Sequence, residues 1–342
     1  MRNTSTAILA GVSLLACAAC AGQGGAPTGF SSGNAVAGTS SLSTYPLGAV
    51  NGKSSTPAAR PAAARGFMSP DAKSKKLVYV ADTFNQEIDI FDRSSKNGKP
   101  VGAITSGLSD PAGMAVDKKG NLYVANENFV TSSWSVPMYA PGATTPTKVY
   151  ATDLSQPTNV AVARDGTIYI CNYNFLSNGW VSVYPKGDVT KEYRLSDFGG
   201  GAPLSVALDK AGNAYVMYDI NAYGNDAVNK YAPNATTGTN LNLEFNSGAD
   251  IAIDASGDIV LAQQINPSGI LVFPPGAVAA SRSIQLPTGK QPFAFAVTPN
   301  EKQLLAADSF NGEVFALNFQ TGQQLRVFAT GFGNPGGIAL SP

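Results

Sequence analysis

The chain contains no histidine. That absence removes the usual general base near neutral pH, every Ser-His-Asp or Cys-His arrangement, and every histidine-ligated zinc or haem site. Charge is also scarce: 13% of the 342 residues are Asp, Glu, Lys or Arg, with 23 of each sign, where soluble domains carry about 25%. A balanced chain without a basic run is not built for nucleic acid. Three cysteines cannot form a disulfide scaffold. Cys17 and Cys20 fall in the first residues, and Cys171 stands where other copies of a repeat carry alanine, as expected of a small buried hydrophobe. Without a histidine to activate it, Cys171 is not read as a nucleophile. Oxygen-ligated calcium or magnesium remains open to this composition.

What the chain has instead is 36 Gly, 22 Pro and a period. A short apolar run closing on a small residue and then a polar one returns as Leu77-Val-Tyr-Val-Ala-Asp82, Leu122-Tyr-Val-Ala-Asn126, Ile168-Tyr-Ile-Cys-Asn172, Ala214-Tyr-Val-Met-Tyr218, Ile259-Val-Leu-Ala-Gln263 and Leu304-Leu-Ala-Ala-Asp308. The anchors Tyr79, Tyr123, Tyr169, Tyr215, Val260 and Leu305 are 44, 46, 46, 45 and 45 residues apart. A period near 45 in a Gly-rich, strand-rich chain predicts a β-propeller, one four-stranded blade per repeat. These runs are strand B, counted from the inside.

An inner strand A with a constant central alanine is read at Gly113-Met-Ala-Val-Asp117, Asn159-Val-Ala-Val-Ala163, Ser205-Val-Ala-Leu-Asp209, Asp250-Ile-Ala-Ile-Asp254, Ala294-Phe-Ala-Val-Thr298 and Gly337-Ile-Ala-Leu-Ser341. Proline often precedes it, outside the ladder, where its missing N–H costs nothing. The A–B connections, such as Asp117-Lys-Lys-Gly-Asn121, carry the glycine of a tight turn. The fold expected is all-β, a six-bladed propeller over residues 66–342, closed by the last A strand pairing with the first B strand. Seven blades is the alternative. Gly66-Phe-Met-Ser-Pro70 looks like the tail of a further A strand, either competing for the closing position or packing over one end.

Ahead of the propeller, residues 1–21 read as an export signal, with Arg2 and the apolar run Ala7-Ile-Leu-Ala-Gly-Val-Ser-Leu-Leu-Ala16, too short to span a bilayer. Leu14-Leu-Ala-Cys17 resembles a bacterial lipobox. Lipidation is expected at Cys17 or, failing that, Cys20, with plain secretion as the other reading. Residues 22–65, rich in Gly, Ser, Ala, Thr and Pro, are a linker unable to bury a core. A coil of that length reaches roughly 35–40 Å. The chain is therefore expected to be exported, as a cell-envelope lipoprotein or a secreted protein, and monomeric, touching membrane through an N-terminal lipid alone.

Pro111-Ala-Gly-Met-Ala-Val-Asp-Lys-Lys-Gly-Asn-Leu-Tyr-Val-Ala-Asn126, Asp82-Thr-Phe-Asn-Gln-Glu-Ile-Asp-Ile-Phe91 and the phrases Tyr139-Ala-Pro-Gly-Ala143, Tyr184-Pro-Lys-Gly187, Tyr231-Ala-Pro-Asn-Ala235 and Phe273-Pro-Pro-Gly-Ala277 resemble the NHL repeat and its exported bacterial relatives. The resemblance covers residues 66–342. It implies a six-bladed propeller, and either a binding platform or a metal-dependent sugar-lactone hydrolase. The lyases of related folds rely on histidine and are not implied. No ligand set of the lactonases matches residue by residue.

Long, variable B–C loops on one face are the expected binding surface. There Trp134 and Trp180, with Phe129, Phe175, Tyr173 and Tyr223, form a candidate aromatic platform for a protein or glycan. Phe84 and Phe310, in short loops, are read as packing residues. Asp250, which replaces the Gly, Asn or Ser usual at the start of strand A, and Asp219, Glu127 and Asp226, read as carboxylates of the longest loops, are candidate ligands for calcium or another hard cation. The polar ends of strand B, Asp82, Asn126, Asn172, Tyr218, Gln263 and Asp308, are read as turn caps rather than a ring of ligands, because they repeat in every blade. The leading functional reading is a non-enzymatic binding or scaffolding module. The alternative is a divalent-metal lactonase or esterase, which requires three or more of Asp82, Asn126, Asn172, Asp219, Asp250 and Asp308 to converge.

Overall fold

The computed structural model describes residues 66–342, apart from 71, 73, 74, 97, 175–177, 221–225 and 266. The export signal, Cys17, Cys20 and the linker lie outside the described residues, as do Phe175 and Tyr223. In chain order the strands are β1 (Phe67–Met68), β2 (Leu77–Asp82), β3 (Glu87–Asp92), β4 (Gly102–Ile104), β5 (Asp110–Val116), β6 (Leu122–Asn128), β7 (Ser133–Tyr139) and β8 (Lys148–Tyr150). They continue as β9 (Pro157–Val162), β10 (Ile168–Asn172), β11 (Trp180–Tyr184), β12 (Tyr193–Leu195), β13 (Ala202–Leu208), β14 (Ala214–Asp219), β15 (Asp226–Tyr231) and β16 (Thr239–Asn240). The last are β17 (Gly248–Ile253), β18 (Ile259–Gln263), β19 (Gly269–Phe273), β20 (Arg282–Ile284), β21 (Ala294–Val297), β22 (Gln303–Asp308), β23 (Glu313–Asn318), β24 (Gln324–Thr330) and β25 (Pro335–Leu340).

They form six antiparallel sheets, the blades of a propeller. Blades 2 to 6 are β5–β8, β9–β12, β13–β16, β17–β20 and β21–β24. Blade 1 is β25, β2, β3 and β4, so the last strand of the chain is the inner strand of the first blade. Its register, Val78 opposite Leu340 through Ala81 opposite Gly337, closes the ring as expected. The Leu77 N–H adds a bond to Ser341 Oγ at 2.7 Å. The segment at Gly66 does not compete for that position. Phe67 and Met68 instead pair with Ala103 and Gly102, adding β1 as a fifth strand outside β4. The closing site is already filled by β25, and the free edge of β4 supplies the pairing partner.

Local sequence explains the repeated geometry. In four of the inner strands, β5, β9, β13 and β25, a proline opens the strand or stands second in it, and a bulge follows, as between Pro111 and Met114 or Pro203 and Ser205. The bulge bends the strand at the axis and absorbs the missing N–H. At the far end of strand C the recurrent aromatic reaches the D–A connection through which the chain enters its blade. Tyr139 donates to Ser106 O at 2.7 Å, Tyr184 to Thr152 O at 2.8 Å, and Tyr231 to Asp197 Oδ1. All three rings are fully buried. Burying each apolar ring is worth about 2–3 kcal/mol, and the hydroxyl bond leaves no buried donor unsatisfied. The Tyr-Ala-Pro-Gly phrases therefore clamp each D–A connection to the blade it enters.

Inner strands pack backbone to backbone. A β-carbon on Gly337 would lie 2.3 Å from Ala112 O, and one on Gly113 2.7 Å from Thr158 O. Gly337→Val is expected to cost about 1–3 kcal/mol by forcing blade 1 away from blade 2. In urea titration this appears as a lower midpoint with unchanged slope; an unaltered midpoint would show that the closing seam has slack.

Candidate functional site

Two faces differ in character. The A–B turns are held by their own side chains. Asp117 Oδ1 accepts from the N–H groups of Lys119 and Asn121, and Asp209 and Asp254 repeat the arrangement. The opposite face, formed by B–C loops and D–A connections, is where the variable residues lie.

On that face the polar ends of strand B are structural. Asn126 Oδ1 accepts from Ser109 N, Asn172 Oδ1 from Ser155 N and Gln263 Oε1 from Asn246 N, at 2.8–2.9 Å and always 17 residues apart. Asp82 accepts from Gly333 N and Asn334 N, and Asp308 from Phe310 N, Asn311 N and Asn311 Nδ2. These oxygens cap turns and latch strand B to the D–A connection of its own blade. Tyr218 departs from the pattern, its hydroxyl donating to Asn229 Oδ1.

The residue following each of these ends sits differently. It is Thr83, Glu127, Tyr173, Asp219, Gln264 or Ser309, a set without a repeat. Thr83 Oγ1 donates to Pro111 O of the next blade, and Tyr173 packs against the hydrophobic cluster formed by the next two blades. Alternation along a strand turns this position toward the neighbouring blade. Gln264 was not singled out by sequence reasoning, although its departure from a repeating position is the same signal that marked Asp250.

The candidate cation ligands lie in strands, not in loops. Glu127 is in β6, opposite Trp134 and Asp110, and is buried. Asp219 and Asp226 end β14 and begin β15, opposite one another. The loop assignments fail because the strands run one to two residues further than the apolar pattern. Asp226 also accepts from Gly248 N, tying blade 4 to blade 5. Burial, with a smaller push from Asp219, raises its carboxyl to about 7 against the pull of the Gly248 N–H.

Asp250 lies on β17 at the central channel, a cavity of about 330 Å³ lined by all six inner strands. Its carboxylate accepts from Ser205 Oγ at 2.8 Å, Ile251 N at 2.9 Å and Phe295 N at 3.1 Å. It thus joins β13, β17 and β21. Enclosure raises its carboxyl to about 6, opposed by those three donors. Among the described residues no three Asp, Glu or Cys side chains cluster to hold a metal ion. Cys171 is buried behind this wall, its thiol pushed up by burial and by Asp250, and is inert.

The aromatic candidates form two small groups. Phe129 and Trp134 meet edge to face at 5.2 Å. Trp180 lies under the Arg194 guanidinium at 4.4 Å and donates from Nε1 to Ser182 Oγ at 3.0 Å. Tyr173 is half-buried between blades 3 and 4, its hydroxyl pushed up by burial and then by Asp219. A feature not expected is an apolar crown. Phe84, Val130, Ile220, Ile265 and Phe310, from the B–C loops of five blades, are all exposed. Phe84 and Phe310, at 59% and 38%, are not the packing residues expected from their matched positions. Their loops are pinned tightly by Asp82 and Asp308, and the short turn points the ring outward.

No family model matches the sequence, and no curated protein matches it. Solved structures do. A chain of a nidogen/laminin complex is 18% identical with a TM-score of 0.62, over 78% of this chain and 98% of that one. A periplasmic gluconolactonase of Pseudomonas aeruginosa is 14% identical with a TM-score of 0.56, over 78% and 99%. Hydrazine synthase of Kuenenia stuttgartiensis is 14% identical with a TM-score of 0.53, over 86% and 94%. What they share with this chain is the propeller fold.

The raised carboxyls set a pH dependence. A folded-state value above the unfolded 3.8 means that the contribution of each group to stability is fully present below pH 3.8 and is lost as pH rises to about 7 for Asp226 and about 6 for Asp250. Asp226→Asn, which keeps an acceptor for Gly248, is expected to raise the melting midpoint by a few degrees at pH 8 and by much less at pH 4.5. A midpoint equal to wild type at pH 8 would place the Asp226 carboxylate in a solvated site.

Proposed function

We propose that this chain is an exported NHL-type propeller whose B–C face receives a protein or glycan ligand. The observation that carries the reading is the apolar crown. Five B–C loops place exposed Phe84, Val130, Ile220, Ile265 and Phe310 at the same end of the ring. Exposed apolar side chains gathered on one face are costly in a free protein and favour an interaction surface. Half-buried Trp134 and Trp180 stand at the starts of β7 and β11 on the same side, Trp134 beside Phe129 and Trp180 with a hydrogen-bonding and a cationic neighbour, which suits an amphipathic partner. The other face, by contrast, carries turns already satisfied by their own Asp side chains.

The lactonase or esterase alternative needs three converging oxygens from Asp82, Asn126, Asn172, Asp219, Asp250 and Asp308. Asp82, Asn126, Asn172, Asp250 and Asp308 are engaged by backbone or side-chain donors, at positions spread around the ring. The binding reading asks nothing of them. Residues 1–21 support export, with a lipid on Cys17 or Cys20 and residues 22–65 as tether.

Both halves are testable. A ligand captured from envelope extract or a glycan array by the intact protein is expected to bind at least tenfold more weakly to Phe84→Ser/Ile265→Ser/Phe310→Ser, and unchanged to Lys118→Glu/Lys210→Glu on the opposite face. Equal affinity for both variants would sink the B–C face as the binding surface. In cells fed an alkyne-labelled fatty acid, Cys17→Ala is expected to abolish labelling; labelling that is lost with Cys20→Ala instead moves the anchor by three residues, and a wild-type chain without label is secreted without a lipid.

A further inference from the structure

The end of the ring that carries the crown is short of cations and rich in facing carboxylates. Its B–C loops and D–A connections contain one cationic residue, Lys290, which is paired with Glu313 at 2.7 Å. Arg194, which reaches Trp180 from β12, is paired with Asp153. The A–B turns, by contrast, carry Lys118, Lys119, Arg164, Lys210 and Lys302. A chain with no net charge has sorted its charges by face.

Strand register places carboxylates opposite one another at the crown end in four of the six blades. Asp82 faces Glu87 in blade 1, Glu127 faces Asp110 in blade 2, Asp219 faces Asp226 in blade 4 and Asp308 faces Glu313 in blade 6. Like charges directly opposite on a sheet destabilise it. Turn capping explains Asp82 and Asp308, but not a second carboxylate across from each. Burial raises the carboxyls of Asp110 and Asp226, and no cation stands near enough to either to oppose it. Among the described residues no three acidic side chains gather to hold a metal ion, so the charge is spread around the ring rather than collected in one ion site.

These pairs lie at the bases of the crown loops. Phe84 comes two residues after Asp82, Val130 three after Glu127, Ile220 directly after Asp219 and Phe310 two after Asp308. The apolar tips therefore stand over negative charge. We propose that the occupant of the crown is a protein surface that carries lysine or arginine between apolar side chains. This rests on the crown being the docking surface and adds the chemistry of what docks there. Apolar side chains of the partner bury the exposed tips, and its cations relieve the facing carboxylates, so both features that burden the free ring are removed by one partner. A neutral glycan leaves the carboxylates facing each other, and an anionic glycan is repelled by them.

The test is selection, at pH 8, from a displayed library of random peptides of about twelve residues against the intact protein. Recovered peptides are expected to be enriched at least twofold over the library in Lys and Arg and in aromatic and aliphatic residues, with Asp and Glu depleted. The tightest of them is expected to bind at least tenfold more weakly in about 500 mM than in about 50 mM salt, and at least threefold more weakly to Asp110→Asn/Asp226→Asn. The melting midpoint of that variant is expected to equal or exceed wild type, because a facing pair is relieved in each of two blades; weaker binding is then not unfolding. No recovered peptide, a neutral or acidic consensus, affinity indifferent to salt, undiminished binding by the carboxylate variant, or binding of a neutral glycan alone on an array would overturn the proposal. The crown variant Phe84→Ser/Ile265→Ser/Phe310→Ser separates the two readings. Its loss of binding to a ligand without cations keeps the crown as a docking surface and ends the basic partner, whereas wild-type binding by this variant ends the docking surface itself.

Discussion

Six inner strands share one axis, and the distance between them is set by backbone atoms. Gly337 against Ala112 O and Gly113 against Thr158 O leave no space for a side chain, whereas Ser205, Asp250 and Phe295 are joined through a carboxylate. The ring is therefore stapled on one arc and close-packed on the other. Closure of β25 on β2 sets Gly337 of blade 1 against Ala112 of blade 2, so the closing strand fits only with the small residues of the close-packed arc. The remaining strands of each blade follow from where the inner strand is held.

That constraint decides what the two faces can do. On the A–B side each turn is short and closed by its own aspartate, so sequence drift there has little room. On the B–C side, capping by Asp82, Asn126, Asn172, Gln263 and Asp308 fixes the base of each loop and leaves the tip free to vary. A rigid base under a variable tip is the usual arrangement of binding loops. The same caps explain why repeating polar residues near a channel do not make a metal site. Their lone pairs are used by amides that have no other acceptor.

Blade number, strand order and closure were legible because a repeat samples each position six times, and the constant alanine, the turn glycine and the strand-B apolar run reinforce one another. Strand ends were less legible. Glu127, Asp219 and Asp226 read as loop residues because polar side chains are tolerated at a strand end where one face meets a neighbouring blade. The exposure of Phe84 and Phe310 was not legible at all: a matched phenylalanine in a short loop looks like packing until the direction of the turn is known. The fifth strand β1 was missed for a related reason, since pairing to a free outer edge requires no side-chain pattern.

The position after strand B shows how far a repeat can be read for function. Thr83 spends its hydroxyl on the next blade's carbonyl, and Tyr173 spends its ring on the next blade's core. Gln264 occupies the corresponding place with a side chain that neither packs as an apolar group nor satisfies its own amide. A repeat relaxes toward residues that stabilise it, and a chain that keeps an unsatisfied amide there loses stability relative to an aliphatic of the same volume. Asp250, on the adjacent strand β17, meets the opposite description: its oxygens accept from Ser205, Ile251 and Phe295 and so join three inner strands within the fold.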